Sequence, residues 1–254
     1  MYLTRKSIVA VILVLTLGYS LPAKQDKQER KEARHEGKGA AAKDVEEYTE
    51  RAQKAAEVLS SLMHTPDKGI PQELMENAYA VAVIPHVVKA ALGVGGRFGK
   101  GLVAGRTGSA RTWGTPSFVE IGGGSFGFQI GGSATDLVMV FKNEKGFNSL
   151  LDSKLKLGAD ASVAAGPVGR SGEASTDAKL NAEIYSYSRS KGLFAGISLD
   201  GAVLTIDDSA NRKVYARELT GRDILLKGVV APNGVTRPFV DALKHWAPKV
   251  SQNR

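Results

Sequence analysis

The sequence predicts an α+β domain: a glycine-rich, mainly antiparallel sheet, tightly coiled or closed like a barrel, with helices at its N-terminal and C-terminal ends. Three observations predict it. Apolar residues recur at three- and four-residue steps from Val45 to Leu62, and Phe239, Leu243 and Trp246 share a helical face near the end. Between these segments, fourteen glycines fall within Gly93–Gly132 among strand-like runs. Small residues then alternate along the strands, the pattern of closely packed, strongly coiled sheets.

The first segment reads as an address. Arg5 and Lys6 precede an apolar run over Ile8–Leu17, and small residues follow at Gly18, Ser20 and Ala23. That order is a secretory signal over residues 1–23, with cleavage after Ser20 or Ala23; retention as an anchor is the alternative. The expectation is an exported protein, periplasmic or extracellular, free or peripheral on a membrane. Residues 24–43 follow as a basic tether, flexible or transiently helical, with seven Lys/Arg against four acids. Residues 44–254 then keep only +3 of the net +8, so the folded part is mildly basic and nucleic acid is not an expected partner.

The folded domain is expected to begin at Asp44, an N-cap with Glu47 three residues on. Its first helix carries Val45, Tyr48, Ala52, Ala55, Leu59 and Leu62 on one face and stops before Pro66. Pro71 opens a short helix over residues 72–77. Tyr79–Ile84 reads as a strand ended by Pro85, with a helical turn over His86–Leu92 closed by Gly93. Ser117–Ile130 reads as a strand pair or one strand bulged at Gly122–Gly124. Thr135–Phe141 is apolar on both parities and so covered on both faces. A helix follows over Glu144–Leu151, then a half-exposed strand from Leu155 to Ala165, where alternation is clearest. Gly166–Asp177 is a polar loop. Strands are expected over Ala182–Ser188, Leu193–Ile206 and Arg212–Ala216, with Asp207-Asp208 in a hairpin turn. Thr236 and Pro238 open the last helix.

Several runs are similar to the SYLF family, which includes the yeast actin-regulating Ysc84 domain. They are Val94-Gly-Gly-Arg-Phe-Gly-Lys-Gly-Leu-Val103, Gly127-Phe-Gln-Ile-Gly-Gly-Ser-Ala-Thr-Asp136, Lys156-Leu-Gly-Ala-Asp160 and Tyr185-Ser-Tyr-Ser-Arg-Ser-Lys-Gly-Leu-Phe-Ala-Gly-Ile-Ser-Leu-Asp-Gly201. The resemblance covers about residues 45–225. It implies binding of phosphoinositides and other anionic lipids, actin binding in eukaryotic members, and no enzymatic activity. No SH3-like or FYVE-like segment is read here, and an exported domain would not meet cytosolic actin.

Catalytic patterns fare poorly. Gly123-Gly-Ser125-Phe-Gly127 spells G-x-S-x-G, but strand-like alternation follows the serine where a nucleophile elbow needs a helix. Gly122, Gly124 and Gly127 spell G-x-G-x-x-G outside any βαβ unit, and the P-loop pattern fails at Val94. The four histidines, 35, 64, 86 and 245, are scattered, and cysteine is absent, so neither a metal site nor a cofactor is expected. His86 beside Lys89 reads as a surface histidine or a headgroup contact. Asp136 and Asp160 interrupt apolar strand sequence and are expected to accept hydrogen bonds from glycine-rich backbone.

The charge distribution carries the functional expectation. No acid occurs between Glu76 and Glu120, yet Lys89, Arg97, Lys100, Arg106 and Arg111 do, with Trp113 beside them. Basic heads with an interfacial indole suit an anionic lipid surface, and these six residues are the predicted lipid-binding set. The alternatives are a structural module docking a protein partner through its sheet, and a carrier of an apolar ligand inside a closed barrel.

Overall fold

The computed structural model describes residues 23–65, 69–92, 94–108, 111–126, 131–152, 154–166, 182–190, 193–194 and 199–248. The expected export signal lies outside the described residues apart from Ala23. The chain divides into two compact units, Met1–Ala42 and Lys43–Arg254. Helix α1 spans Ala23–Met63, so residues 24–43 are helical and Asp44 caps nothing. The Ala, Glu, Gln, Lys and Arg of that stretch are strong helix formers, and composition alone accounts for the early start. Asp44 instead pairs with Lys213 at 2.9 Å.

In the second unit, Tyr48, Ala52, Ala55, Leu59 and Leu62 of α1 are buried, while Val45 is exposed. Helix α2 (Gln72–Glu76) follows Pro71 as expected. The strands are β1 (Ala80–Leu92), β2 (Val94–Thr107), β3 (Thr112–Trp113), β4 (Ser117–Phe126) and β5 (Gly131–Phe141). After α3 (Glu144–Asp152) come β6 (Lys154–Lys156), β7 (Val163–Ala165), β8 (Ile184–Ser190), β9 (Leu193–Phe194) and β10 (Val203–Ile206). Three helices close the described chain: α4 (Asp208–Tyr215), α5 (Gly221–Leu225) and α6 (Arg237–Trp246).

The main path of the sheet runs β6-β10-β4-β2-β1-β5-β8-β7, antiparallel except for β7 beside β8. One core lies under α1, α2 and α6 and includes Val81, Val83, Leu102 and Phe118. The other takes the opposite side of the same strands, with Ala82, Ile84, Val103 and Val119, and is filled by Phe147 and Leu150 of α3. This second core also collects Leu155 from one edge of the sheet, and Ala161 next to the other. Those edges meet at a bridge between Leu157 and Ala161, which only a curled sheet permits. The curl is a half-barrel, and β5 is buried on both faces as its continuous apolar run predicted.

Five further local expectations are corrected. Pro85 does not end β1: the strand continues through a bulge, its register shifting between Ile84 and Val87 against β5. The bulge needs no donor from proline, and His86 takes the left-handed conformation at φ 53°. Gly122–Gly124 carry no bulge, since β4 pairs in continuous register with β2 from Ser117 to Phe126. Gly123 serves close approach instead, because a Cβ there would lie 3.0 Å from the Ala202 backbone. The expected long strand from Leu155 to Ala165 is cut at Gly158, whose φ of 87° starts a turn tied by the Lys156 N–H donating to the Asp160 carboxylate. The expected strand over Leu193–Ile206 appears as β9 and β10, parted by a turn at Asp200 and Gly201, where Gly201 takes φ 74°; residues 195–198 lie outside the described ones.

The fifth correction is at residues 212–216, which belong to helix α4. Asp207 is its N-cap rather than a hairpin residue, accepting from the Ala210 N–H at 3.0 Å. Asn211 fastens this helix to the sheet. Its carboxamide oxygen accepts from the Phe118 N–H at 2.9 Å, and its Nδ2 donates to the Ser117 hydroxyl. Both groups are fully buried, so Asn211→Leu is expected to cost about 3 kcal/mol by orphaning them. A shift of the chemical-denaturation midpoint measures this; a midpoint equal to that of wild type would contradict it.

Candidate lipid-facing site

The six predicted basic and aromatic residues do not form one patch. Lys89 and Arg97 are register partners on β1 and β2. They share the face of buried Val87, because residues two apart along a strand point the same way. Arg97 is itself buried; burial pushes its guanidinium below the ordinary value, with Asp200 opposing. Arg106 lies nine residues further along β2, roughly 30 Å away, and on the opposite face with Leu102 and Ala104. It is also buried, donating to the carbonyls of Arg111 at 3.0 Å and Ala247 at 2.9 Å, with its guanidinium 4.3 Å from the Trp113 ring centroid. Trp113 is buried too and donates through Nε1 to the same Ala247 carbonyl at 2.8 Å. This pair holds the end of α6. Arg111 is exposed in the turn between β2 and β3, at φ 45°. Of the six, Lys100 remains on an accessible face that carries other useful groups.

Beside Lys100 stands an exposed apolar pair. Val88 and Phe98 face each other across β1 and β2 and are 49% and 52% exposed. They lie on the α1 side of the sheet, beyond the reach of the core residues of α1. The Lys100 ammonium sits 5.9 Å from the Phe98 ring centroid and 3.7 Å from the Asp207 carboxylate. Behind it, Arg51 of α1 pairs with Glu47 at 2.6 Å and approaches Asp207 at 3.8 Å. The Arg51 side chain is only 10% exposed, packed over Tyr48 and Phe118, and its Nη1 has no hydrogen-bond partner. Together with Lys54, Pro85, His86, Glu47 and Glu50, Arg51 and Lys100 line an open pocket of about 220 Å³.

His86 owes its place there to the β1 bulge. Its N–H donates to the Asp136 carboxylate at 3.1 Å, and Asp136 also lies 3.9 Å from Arg189. Asp136 and Asp160 thus both accept from backbone N–H groups, as expected, but the donors are His86 and Lys156 rather than glycines. Arg51 and Lys54 were invisible to a search restricted to the acid-free stretch. Their signal is the pairing of each with a glutamate four residues earlier, which sets one charged flank on α1.

A larger open cleft of about 840 Å³ lies at the β6–β10 edge, lined by Glu120, Lys154, Thr205, Asp208, Arg212 and Asp223 among others. Its charges are mostly engaged: Arg212 with Glu218 at 2.8 Å, and Asp223 with Lys227 and in the capping box of α5. The hydrogen bonds from Thr220 and Lys227 hold the Asp223 carboxyl well below the usual range. Ser125 lies within β4 opposite Gly95, in extended register rather than on a strand-to-helix elbow. Among the described residues, no group of three or more His, Asp or Glu is placed to hold a metal ion.

Comparison with known proteins gives one consistent answer. The family described as Ysc84, Las17-binding protein actin regulator, matches residues 122–246. The rat SH3 domain-containing YSC84-like protein 1 is 35% identical over 187 residues, covering 71% of this chain and 54% of the relative. LAS seventeen-binding protein 3 of Saccharomyces cerevisiae is 33% identical over 202 residues, 76% of this chain and 43% of its own. Protein YSC84 of the same yeast is 35% identical over 187 residues, 70% and 40% respectively. The chain therefore spans about half the length, or less, of these relatives.

Proposed function

The chain belongs to the SYLF (Ysc84) domain family, and on that premise we propose that it is a non-catalytic docking domain that binds anionic lipid surfaces. The observation that carries this is the exposed Val88–Phe98 pair with the Lys100 ammonium beside the ring and Arg51, Lys54 and His86 behind it. Apolar side chains next to basic heads match the boundary between acyl chains and phosphates. The export signal expected in residues 1–23 supports a surface outside the cytosol as the one it would meet. Half-burying a Val and a Phe contributes roughly 2–3 kcal/mol, and two or three basic groups near the surface about 1 kcal/mol each. Their sum slightly exceeds the about 4 kcal/mol of a millimolar affinity. One copy binds weakly, and tethering or several copies would strengthen it.

A second reading is docking of a protein partner on the same surface. The name of the yeast relative, a LAS seventeen-binding protein, and the family description as actin regulator favour it. Vesicle co-sedimentation separates the two. Val88→Ser with Phe98→Ser is expected to weaken partitioning to anionic vesicles at least about thirtyfold, and wild type is expected to leave them as salt rises. Equal partitioning of wild type to neutral and anionic vesicles overturns the lipid reading. Absence of vesicle binding combined with a saturable protein partner on the Val88–Phe98 surface establishes the other.

A further inference from the structure

We infer that the sheet face beyond α1, centred on Phe98 and the glycines beside it, pairs with the same face of a second copy of this chain. The inference concerns the surface of the docking reading and rests on that reading only for its consequence, that a paired copy cannot dock. Strand register lays this face out in rows. Under α1 lie Val83, Leu102 and Phe118, cross-strand neighbours in the core. The next row is polar, with Lys100, Glu120, Thr205 and Lys154 side by side on β2, β4, β10 and β6. Then come Val88, Phe98, Gly122 and Val203 on β1, β2, β4 and β10. Beyond them stand Ala90, Gly96 and Gly124. Rows are about 7 Å apart, so the Phe98 row lies roughly 14 Å past the Leu102 row. A helix is only about 5–6 Å in radius, so the cover of α1 ends near Lys100.

A ring and a hollow stand side by side on the uncovered part. Phe98 is 52% exposed, while a Cβ at Gly122 or Gly124 would meet nothing within 4 Å, and at Gly96 only a carbonyl oxygen at 3.9 Å. One surface carrying both halves of a fit is what an isologous two-fold contact requires. An axis running across the strands, between the Phe98 row and the Gly96–Gly124 row, exchanges those rows. Each ring then rests on the glycines of the other copy, with the two sheets about 10 Å apart. The two α1 helices fall at opposite ends of this sandwich, each level with the facing sheet; an axis along the strands would force both into one gap. Neither row carries a charge on these strands, so no like charges meet. Four strands about 4.8 Å apart and two rows deep give roughly 270 Å² of face per copy, against the about 800 Å² of a standard interface. The pair is therefore weak and concentration-dependent, and it withdraws Val88 and Phe98 from docking when copies are concentrated.

The test is sedimentation velocity of the full chain from about 10 µM to about 1 mM, the range of weak association. Wild type is expected to pass from monomer to dimer, with the amide resonances of Gly122 and Gly124 shifting on the same concentration scale and that of Gly228 unmoved. Gly124→Thr fills the hollow without an internal clash. It is expected to weaken the dimer at least about tenfold while leaving partitioning to anionic vesicles unchanged. Phe98→Ser is expected to weaken both. Val229→Ser, an exposed apolar residue in the loop after α5, is expected to change neither. Thermal unfolding of each variant separates lost pairing from lost folding. Wild type that stays monomeric at about 1 mM, growth past the dimer, or a dimer that survives Gly124→Thr overturns the pairing, and vesicle binding in those cases leaves the docking reading standing. Pairing sensitive to Gly124→Thr without any vesicle binding upholds the pairing and overturns the lipid reading. Absence of both pairing and vesicle binding overturns both.

Discussion

Gly101→Val is expected to prevent the second unit from folding, and Gly101→Ala to destabilise it by about 3 kcal/mol or more. A Cβ at this position would stand 2.0 Å from the Val83 carbonyl oxygen and 2.7 Å from the Ile84 Cα. Both obstacles are backbone of β1, just before its bulge, so no side-chain rotation relieves the clash. Overpacking a core that relaxes through side chains costs about 1–3 kcal/mol; here relief requires moving two paired strands. The net stability of a domain is only about 5–15 kcal/mol, so the larger valine exceeds what the fold tolerates. Gly124 is the internal control, because a Cβ there meets nothing within 4 Å. Gly124→Ala should unfold in denaturant at the wild-type midpoint or slightly above it. If Gly101→Ala and Gly124→Ala unfold together, the β1 bulge does not press on β2 as described.

Position 101 also shows why the sequence misled at Pro85. Proline and a following histidine read as a strand end, because the ladder loses a donor there. The partner strand held the missing information: two glycines, Gly99 and Gly101, make room for β1 to step across. Such a pairing is long-range, and periodicity along one strand cannot report it. The same limit explains residues 155–165 and 212–216. Alternation at Leu155, Leu157 and Ala161 correctly marked the buried side chains, yet the turn at Gly158 sends the two ends to opposite edges of the sheet. Ala210, Asn211 and Tyr215 are buried at helical spacing, but the short segment carried too few apolar residues to outweigh the turn-like Asp207-Asp208. By contrast β5, α3 and α6 were legible, since their burial is set by local pattern alone.

The candidate site was less legible still. The acid-free stretch was a true feature of the sequence, but strand parity sends Lys89 and Arg97 to one face and Lys100 and Arg106 to the other. Net charge along the chain says nothing of that division. Lys100 acquires its neighbours from α1 and from the cap of α4, about fifty residues before it and a hundred after. Only Val88 and Phe98, apolar residues stranded beyond the covering helix, mark the surface without reference to charge.

Arg106→Met is expected to destabilise the second unit by about 3 kcal/mol while leaving vesicle binding of the folded protein unchanged. The substitution keeps much of the stem volume and removes the donors that reach the Arg111 and Ala247 carbonyls. A buried acceptor left without its donor costs about 1–3 kcal/mol, and loss of the guanidinium from the Trp113 ring adds to this. Some of the loss is recovered, because Arg106 Nε has no partner and burial already pushes the guanidinium below its ordinary value. Trp113→Phe removes one donor from the same Ala247 oxygen and should cost about 1 kcal/mol. Because the two donors share that oxygen, the double substitution is expected to fall short of additivity by more than the few tenths of a kcal/mol seen at independent sites. Arg106→Lys retains the charge yet cannot span both carbonyls, so it should remain well below wild type in stability. Were the residue a lipid contact instead, Arg106→Lys would preserve stability and Arg106→Met would weaken vesicle binding with no change in midpoint. The two readings therefore give opposite results in the same pair of measurements, and the geometry around Ala247 favours the clamp.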